Sequence, residues 1–252
     1  MDQRQPLSGP RIVEAAVAVA DSGGLAAVSM RNVGRELGVE AMSLYHHVTN
    51  KDALLDALAE WIFARIELPG EHEPWRAGMG RRAASARSVL ASHPWALGLI
   101  ESRSTPGPAL LRHHDAVLGC LLANGFPAAL AAHAFSVIDA YVYGFVLTEQ
   151  NLPFDPAADE GAEAYAAGVA SLLEDHPHLA AVIPALANGY SFAAEFDYGL
   201  DLILDALEQR RGLPRQAEPG VVASSPPLNR SNSRTAAGNS VTDSGASGLT
   251  SG

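Results

Sequence analysis

Between Ser29 and Lys51 the chain reads SMRNVGRELGVEAMSLYHHVTNK, a stretch crowded with side chains that can bind phosphates and base edges. Arg31 and Lys51 carry charge, and Tyr45, His46 and His47 offer ring-borne polar groups. Ser43 brings a hydroxyl, Ala41 and Met42 apolar contact. A helix presenting such a face suits the major groove of DNA, where methyl groups and hydrogen-bonding edges distinguish the base pairs. The competing chemistry is a metal pair at His46-His47. Adjacent helical positions diverge by about 100°, and no third ligand stands near, so solvent-facing or phosphate-facing histidines are expected instead.

Other residues invite chemistry more weakly. His113-His114-Asp115 and Asp175-His176-Pro177-His178 each lack a second converging ligand set and are expected at the surface or lining a pocket. Arg103, His113, His133, Tyr141, Phe145 and Glu149 are the candidate ligand-binding residues. The last four recur at near-helical spacing, and for any one of them core packing is the preferred reading. No Gly-rich phosphate loop, nucleophile elbow or cysteine–histidine cluster occurs, so neither an enzyme nor a bound cofactor or metal is expected. The single Cys120 excludes an intramolecular disulfide.

The elements that must position these groups read as helices throughout. Apolar residues Ile12, Ala16, Val19 and Ala20 mark a helix from Arg11 to Ser22, after a polar arm Met1 to Pro10 and before Gly23-Gly24. Ser29 is an N-cap for a second helix, Met30 to Leu37, with Val28 and Val33 placed as a hydrophobic staple and Gly38 as its left-handed stop. A third helix follows from Ala41 to Val48, with Leu44 and Val48 turned inward and Met42, Ser43 and His46 outward. Thr49-x-x-Asp52 signals the start of a fourth, which Leu54, Leu58, Trp61, Ile62 and Arg65 extend into the next domain. Six more helices are expected: Trp75 to Ser92, Trp95 to Arg103, Ala109 to Asn124, Ala128 to Gln150, Ala158 to Asp175 and Tyr190 to Arg211, with a loop over Pro177 to Asn188. The stripe from Phe192 to Leu207 is expected to form a dimer interface. Beyond Gly212 the chain turns to Ser, Gly, Pro, Asn and Thr, the composition of a disordered tail.

This gives an all-α fold with a helix-turn-helix head at 1–65, a helical body at 66–211 and a tail at 212–252. Long apolar runs and a secretory leader are not apparent, so no membrane span is expected and the cytoplasm is the default. The net charge of −11 opposes nonspecific coating of nucleic acid. Met1 to Asp52, however, holds five basic and six acidic residues, so the acidity lies in the body and a DNA contact would be made at one end only.

Leu37-Gly38-Val39, Leu44-Tyr45-His46-His47-Val48 and Asn50-Lys51-Asp52-Ala53-Leu54-Leu55 together resemble the DNA-binding domain of the tetracycline-repressor (TetR) family of bacterial regulators. Ala140 to Phe145 and Phe196 to Leu200 resemble its ligand-binding and dimerisation domain more loosely, so that the likeness runs from about Arg11 to Arg211. The resemblance implies a recognition helix at Ala41–Val48, with Tyr45, His47 and Lys51 on the DNA backbone and Arg31 reaching a phosphate or a base. Ala41, Met42 and Ser43 take the base-selecting slots, with His46 beside them. The founding repressor has glutamine and proline where Ala41 and Met42 stand, so a different operator is implied. Its drug- and magnesium-contacting histidines align with Glu67 and with Ile100 or Glu101, which argues against tetracycline–magnesium as effector. The implied function is a homodimeric, ligand-responsive regulator of double-stranded operator DNA, most often a repressor in this family, with an effector of unknown identity. The alternative is a small-molecule-binding helical dimer with a weak or vestigial DNA head.

Overall fold

A computed structural model describes residues 6–103, 105–153, 175–187 and 191–212, with positions 164 and 168. Among these residues there are ten helices and no strand: α1 Gly9–Ala27, α2 Met30–Leu37, α3 Ala41–Leu44, α4 Lys51–Phe63, α5 Trp75–Ser92, α6 Ala96–Ser102, α7 Pro108–Ala123, α8 Ala128–Gln150, α9 Pro177–Ala187 and α10 Phe192–Arg211. The expected helix Ala158 to Asp175 falls almost wholly outside the described residues, as do 1–5 of the arm and the tail beyond Gly212.

The local chemistry explains most boundaries. Pro10 sits in the first turn of α1, where a missing N–H is harmless, so the helix starts at Gly9 and takes in the end of the expected arm. It also continues past Gly23-Gly24. Gly24 breaks it with a positive φ of 70°, and a last turn resumes to Ala27. Asn50, not Thr49, caps α4, its Oδ1 accepting the Ala53 N–H at 2.8 Å. The expected loop at Pro177 is α9: Pro177 occupies its first position, where a missing N–H is harmless, Leu179, Ala180 and Ala181 favour helix, and the helix also runs through Pro184.

Helices α1 to α4 surround one part of the core with Ile12, Ala16, Val33, Leu44, Leu54 and Leu58. The same core continues through α5 to α8 and α10, and the described residues up to Gly212 pack as a single unit. In α5, Met79, Ala83, Ala86 and Leu90 form the buried stripe; Ala131, Ala134, Ile138, Val142 and Val146 form that of α8. Phe196, Leu200, Leu204 and Leu207 of α10 are buried within their own chain, which corrects the expectation that this stripe meets a second copy. Gly199 lets α8 approach: a Cβ there would lie 2.3 Å from the Tyr141 hydroxyl, which donates to the Phe196 carbonyl at 2.9 Å. α8 is long and apolar enough to cross a membrane by length and composition, the only such helix among the described residues. Its alanines and β-branched residues leave only Asp139 and Glu149 as charges, and α5, α7 and α10 cover one side of it.

Candidate nucleic-acid interface and effector site

The head is held by short-range bonds. Ser29 accepts the Asn32 N–H at 3.1 Å, and the Asn32 side chain donates back to the Ala27 carbonyl at 2.7 Å, fixing the entry into α2. Gly38 adopts φ 68°, ψ 33°; its N–H reaches the Arg35 carbonyl at 3.1 Å and that of Val39 the Gly34 carbonyl at 2.9 Å. Gly34 is the point of closest approach. A Cβ there would stand 2.9 Å from the Val39 carbonyl oxygen and 3.3 Å from the Ala41 Cα. Gly34→Ala gains about 1 kcal/mol of helix propensity but forces the turn away, a displacement costing about 1–3 kcal/mol. A net fall in melting temperature is expected, and a thermal melt showing no fall would mean that the turn relaxes freely.

α3 is a four-residue helix and not the eight-residue one expected. Tyr45 N–H bonds to the Met42 carbonyl and His47 N–H to that of Leu44, so the chain tightens into turns after Leu44. The cause lies downstream: Asn50 must be extended, at φ −163°, to cap α4, and Val48 must still reach the core. Leu44 and Val48 are buried as expected. Met42 is 73% exposed and Tyr45 45%, and Arg31, His46, His47 and Lys51 are exposed. Ala41 and Ser43 are half-buried, so the outward row is narrower than the sequence suggested. Lys51 begins α4, where the free N–H groups of the first turn favour an anion.

The six candidate ligand residues do not form one group. His133 is exposed. Tyr141 and Phe145 pack against Phe196, and Glu149 holds Arg87 in a two-bonded pair at 2.6 and 3.1 Å. These three tie α8 to α5 and α10, the packing role preferred above. Arg103 pairs with Asp56 at 3.1 Å and lines a cleft of about 310 Å³ between α4, the end of α6 and the start of α7. Asp56, Ala59, Glu60 and Phe63 supply the α4 wall. Glu60 also accepts the Ala109 N–H at 2.7 Å, anchoring the first turn of α7 to α4.

His113 lies in the core, 1% exposed, where a surface position had been one expectation, while His114 beside it is half-buried. Its Nε2 accepts from Arg82 Nε at 3.0 Å, so the ring is neutral with its proton on Nδ1. Arg82, 2% exposed, also donates from Nη2 to Asp139 of α8. Two donors are left over: neither Arg82 Nη1 nor His113 Nδ1 meets a protein acceptor, a condition that costs about 1–3 kcal/mol for each buried group. Burial, then the Arg82 charge and His114, push the His113 pKa down to about 3 from 6.5. Burial raises the Asp139 carboxyl against the pull of Arg82, and raises the Tyr143 hydroxyl with help from Asp139. The unfolded chain therefore takes up a proton at His113 below pH 6.5 that the folded chain refuses until about 3. Stability is expected to fall through that window by up to about 1.4 kcal/mol per pH unit. Urea melts at pH 7, 5.5 and 4.5 should show a weaker fall for His113→Gln than for the parent.

The head and body meet again at Asp21 of α1, whose Oδ1 accepts from Trp95 Nε1 at 2.6 Å and lies 2.8 Å from His93 Nδ1. Trp61 of α4 packs edge-on to His93. Sequence reading passed over Arg82, Asp139 and Asp21. Arg82 left a trace, as an arginine on the apolar stripe of α5 between Met79 and Ala86; Asp21 left none. Among the described residues no group of three potential metal ligands comes together.

Comparison with known proteins agrees with this geometry. Residues 12–58 match the description "Bacterial regulatory proteins, tetR family" and residues 68–211 "Tetracyclin repressor-like, C-terminal domain". An HTH-type transcriptional regulator of Saccharopolyspora erythraea is 34% identical over 82% of this chain and 87% of its own length. The HTH-type transcriptional repressor DrrR1 of Streptomyces coeruleorubidus is 32% identical over 83% and 84%. The Streptomyces coelicolor TetR family protein ActR, solved in complex with actinorhodin, has a TM-score of 0.66 and 26% identity over 83% of this chain and all of its own. With both segments matched in order, on an all-helical frame that presents an exposed helix-turn-helix face, the chain belongs to the TetR family and is a DNA-binding, effector-responsive transcriptional regulator.

Proposed function

We propose that this regulator is a homodimeric repressor, working in the cytoplasm, that leaves its operator when a small molecule enters the helical body. The observation that carries the reading is the exposed row of α2 to α4. Tyr45, His47 and Lys51 stand where they would hold the DNA backbone, and Arg31, Met42 and His46 where they would meet base edges, with Ala41 and Ser43 at the margin. In this reading residues 1–65 read DNA and 66–211 bind the effector and the second copy.

Two features support the rest. Val137 and Leu147 of α8 and Tyr198 and Leu202 of α10 are 42–63% exposed, apolar surface beside the two longest helices and suited to an isologous interface. The cleft beside Arg103 has α4 as one wall, so a molecule lodged there acts on the helix that starts at Lys51. Release then needs only that the effector bind the detached conformer better, by about 1–3 kcal/mol. The test is a mobility shift with the DNA upstream of its own gene at physiological salt. A specific complex with steep salt dependence is expected, and nonspecific binding alone would leave a dimer with a vestigial head.

A further inference from the structure

We infer that Arg82 and His113 are the polar recognition end of the effector site and that the effector is an apolar, ring-bearing molecule presenting a neutral carbonyl oxygen. The inference rests on the reading of the body as an effector domain and adds the ligand's chemistry to it.

The two residues have donors to spare and no acceptor. Arg82 uses Nε and Nη2 on His113 and Asp139, leaving Nη1 empty; His113, accepting at Nε2, keeps a proton on Nδ1 with nowhere to send it. Charge is already balanced, because the Arg82 guanidinium is matched by the Asp139 carboxylate. What the cluster lacks is a lone pair rather than a negative charge. A carboxylate or phosphate placed there would sit close to Asp139 and be repelled by it, whereas a carbonyl oxygen accepts without adding charge.

The surroundings select the remainder of the molecule. The Phe63 ring meets His113 edge-on, with centroids 5.6 Å apart; His114 meets Phe135 in the same way at 4.6 Å, and the guanidinium lies 5.8 Å from the Phe135 centroid. These are faces and edges for a planar apolar body. Phe63 also lines the 310 Å³ cleft, so it is the shared wall between that opening and His113. A ligand in the cleft reaches the free donors by turning that ring aside, and Phe63 is the last residue of α4.

Three compounds of one skeleton test the inference by titration calorimetry on the full chain: 9-fluorenone, fluorene and fluorene-9-carboxylate. Fluorenone is expected to bind about tenfold or more tighter than either of the others. In His113→Phe, and in the charge-neutral pair Arg82→Met with Asp139→Leu, that preference over fluorene should shrink below about threefold. Fluorene should bind these variants as it binds the parent. Equal binding of fluorenone and fluorene, tighter binding of the carboxylate, no binding of any of the three, or a preference that survives in a folded variant overturns the proposal. Should the double variant not fold, His113→Phe decides alone. Operator binding is measured separately on the same preparations. Its loss in the parent protein would refute the repressor reading without touching the calorimetry.

Discussion

Replacing Tyr45 and Lys51 together with alanine is expected to weaken operator binding by about a hundredfold or more and to leave the melting temperature within roughly 2 °C of the parent. Both side chains are exposed, Tyr45 by 45%, so their removal takes nothing from the core that Leu44 and Val48 complete. Each hydrogen bond to a phosphate carries a charged partner and is worth about 1.5–3 kcal/mol, and a dimer would lose the pair twice. The salt dependence separates the two residues. Each lysine that meets a phosphate releases a counterion, so Lys51→Ala should flatten the plot of log affinity against log salt by about 2 per dimer. Tyr45→Phe should lower affinity at unchanged slope. Undiminished affinity in the double variant would mean that the recognition face lies elsewhere on α2 or α3.

The second large effect is in the body. Asp139→Ala is expected to destabilise the fold by about 3–5 kcal/mol, because it leaves the Arg82 guanidinium buried without its counter-charge. For a folded unit of this size that is a fall in melting temperature of roughly 6–20 °C. Arg82→Met with Asp139→Leu should recover most of the loss, since it removes both charges from the interior and fills the space with apolar groups. A single variant that melts within about 2 °C of the parent would show that water reaches the pair and that the interior is wetter than its exposure indicates. A double variant as unstable as the single would assign the loss to lost packing rather than to the orphaned charge.

Much of this fold was legible because its signals are local. Ser29, Gly38, Pro74 and Pro127 mark helix ends through their own backbone preferences, and α2, α5 and α8 fall where those preferences put them. The failures have a common form. α3 is cut short by a demand made six residues later at Asn50, and α9 forms across two prolines, Pro177 in its first turn and Pro184 in its interior. The exposure of Arg31, Met42, Tyr45, His46, His47 and Lys51 was legible from type and spacing; the partial burial of Ala41 and Ser43 was not. The packing of the helices after α4 was not. Tyr141, Phe145 and Glu149 share a helical face, but whether such a face meets a cavity or another helix depends on Phe196 and Arg87, more than 50 positions away. Asp139 and His113 acquire meaning only from each other and from Arg82, on three different helices.

The bond from Trp95 to Asp21 bears on how the protein can be rebuilt. Exchanging reading heads between regulators treats the first 65 residues as a cassette, cut where α4 ends. Here that cut separates α1 from two partners in the body, and the incoming head must present a carboxylate at position 21 to meet Trp95 Nε1 and His93. A graft lacking it would bury the indole donor unsatisfied. Such a graft should be less stable by about 1–3 kcal/mol, so the residue at position 21 is the first to check when choosing donor heads for a chimaera.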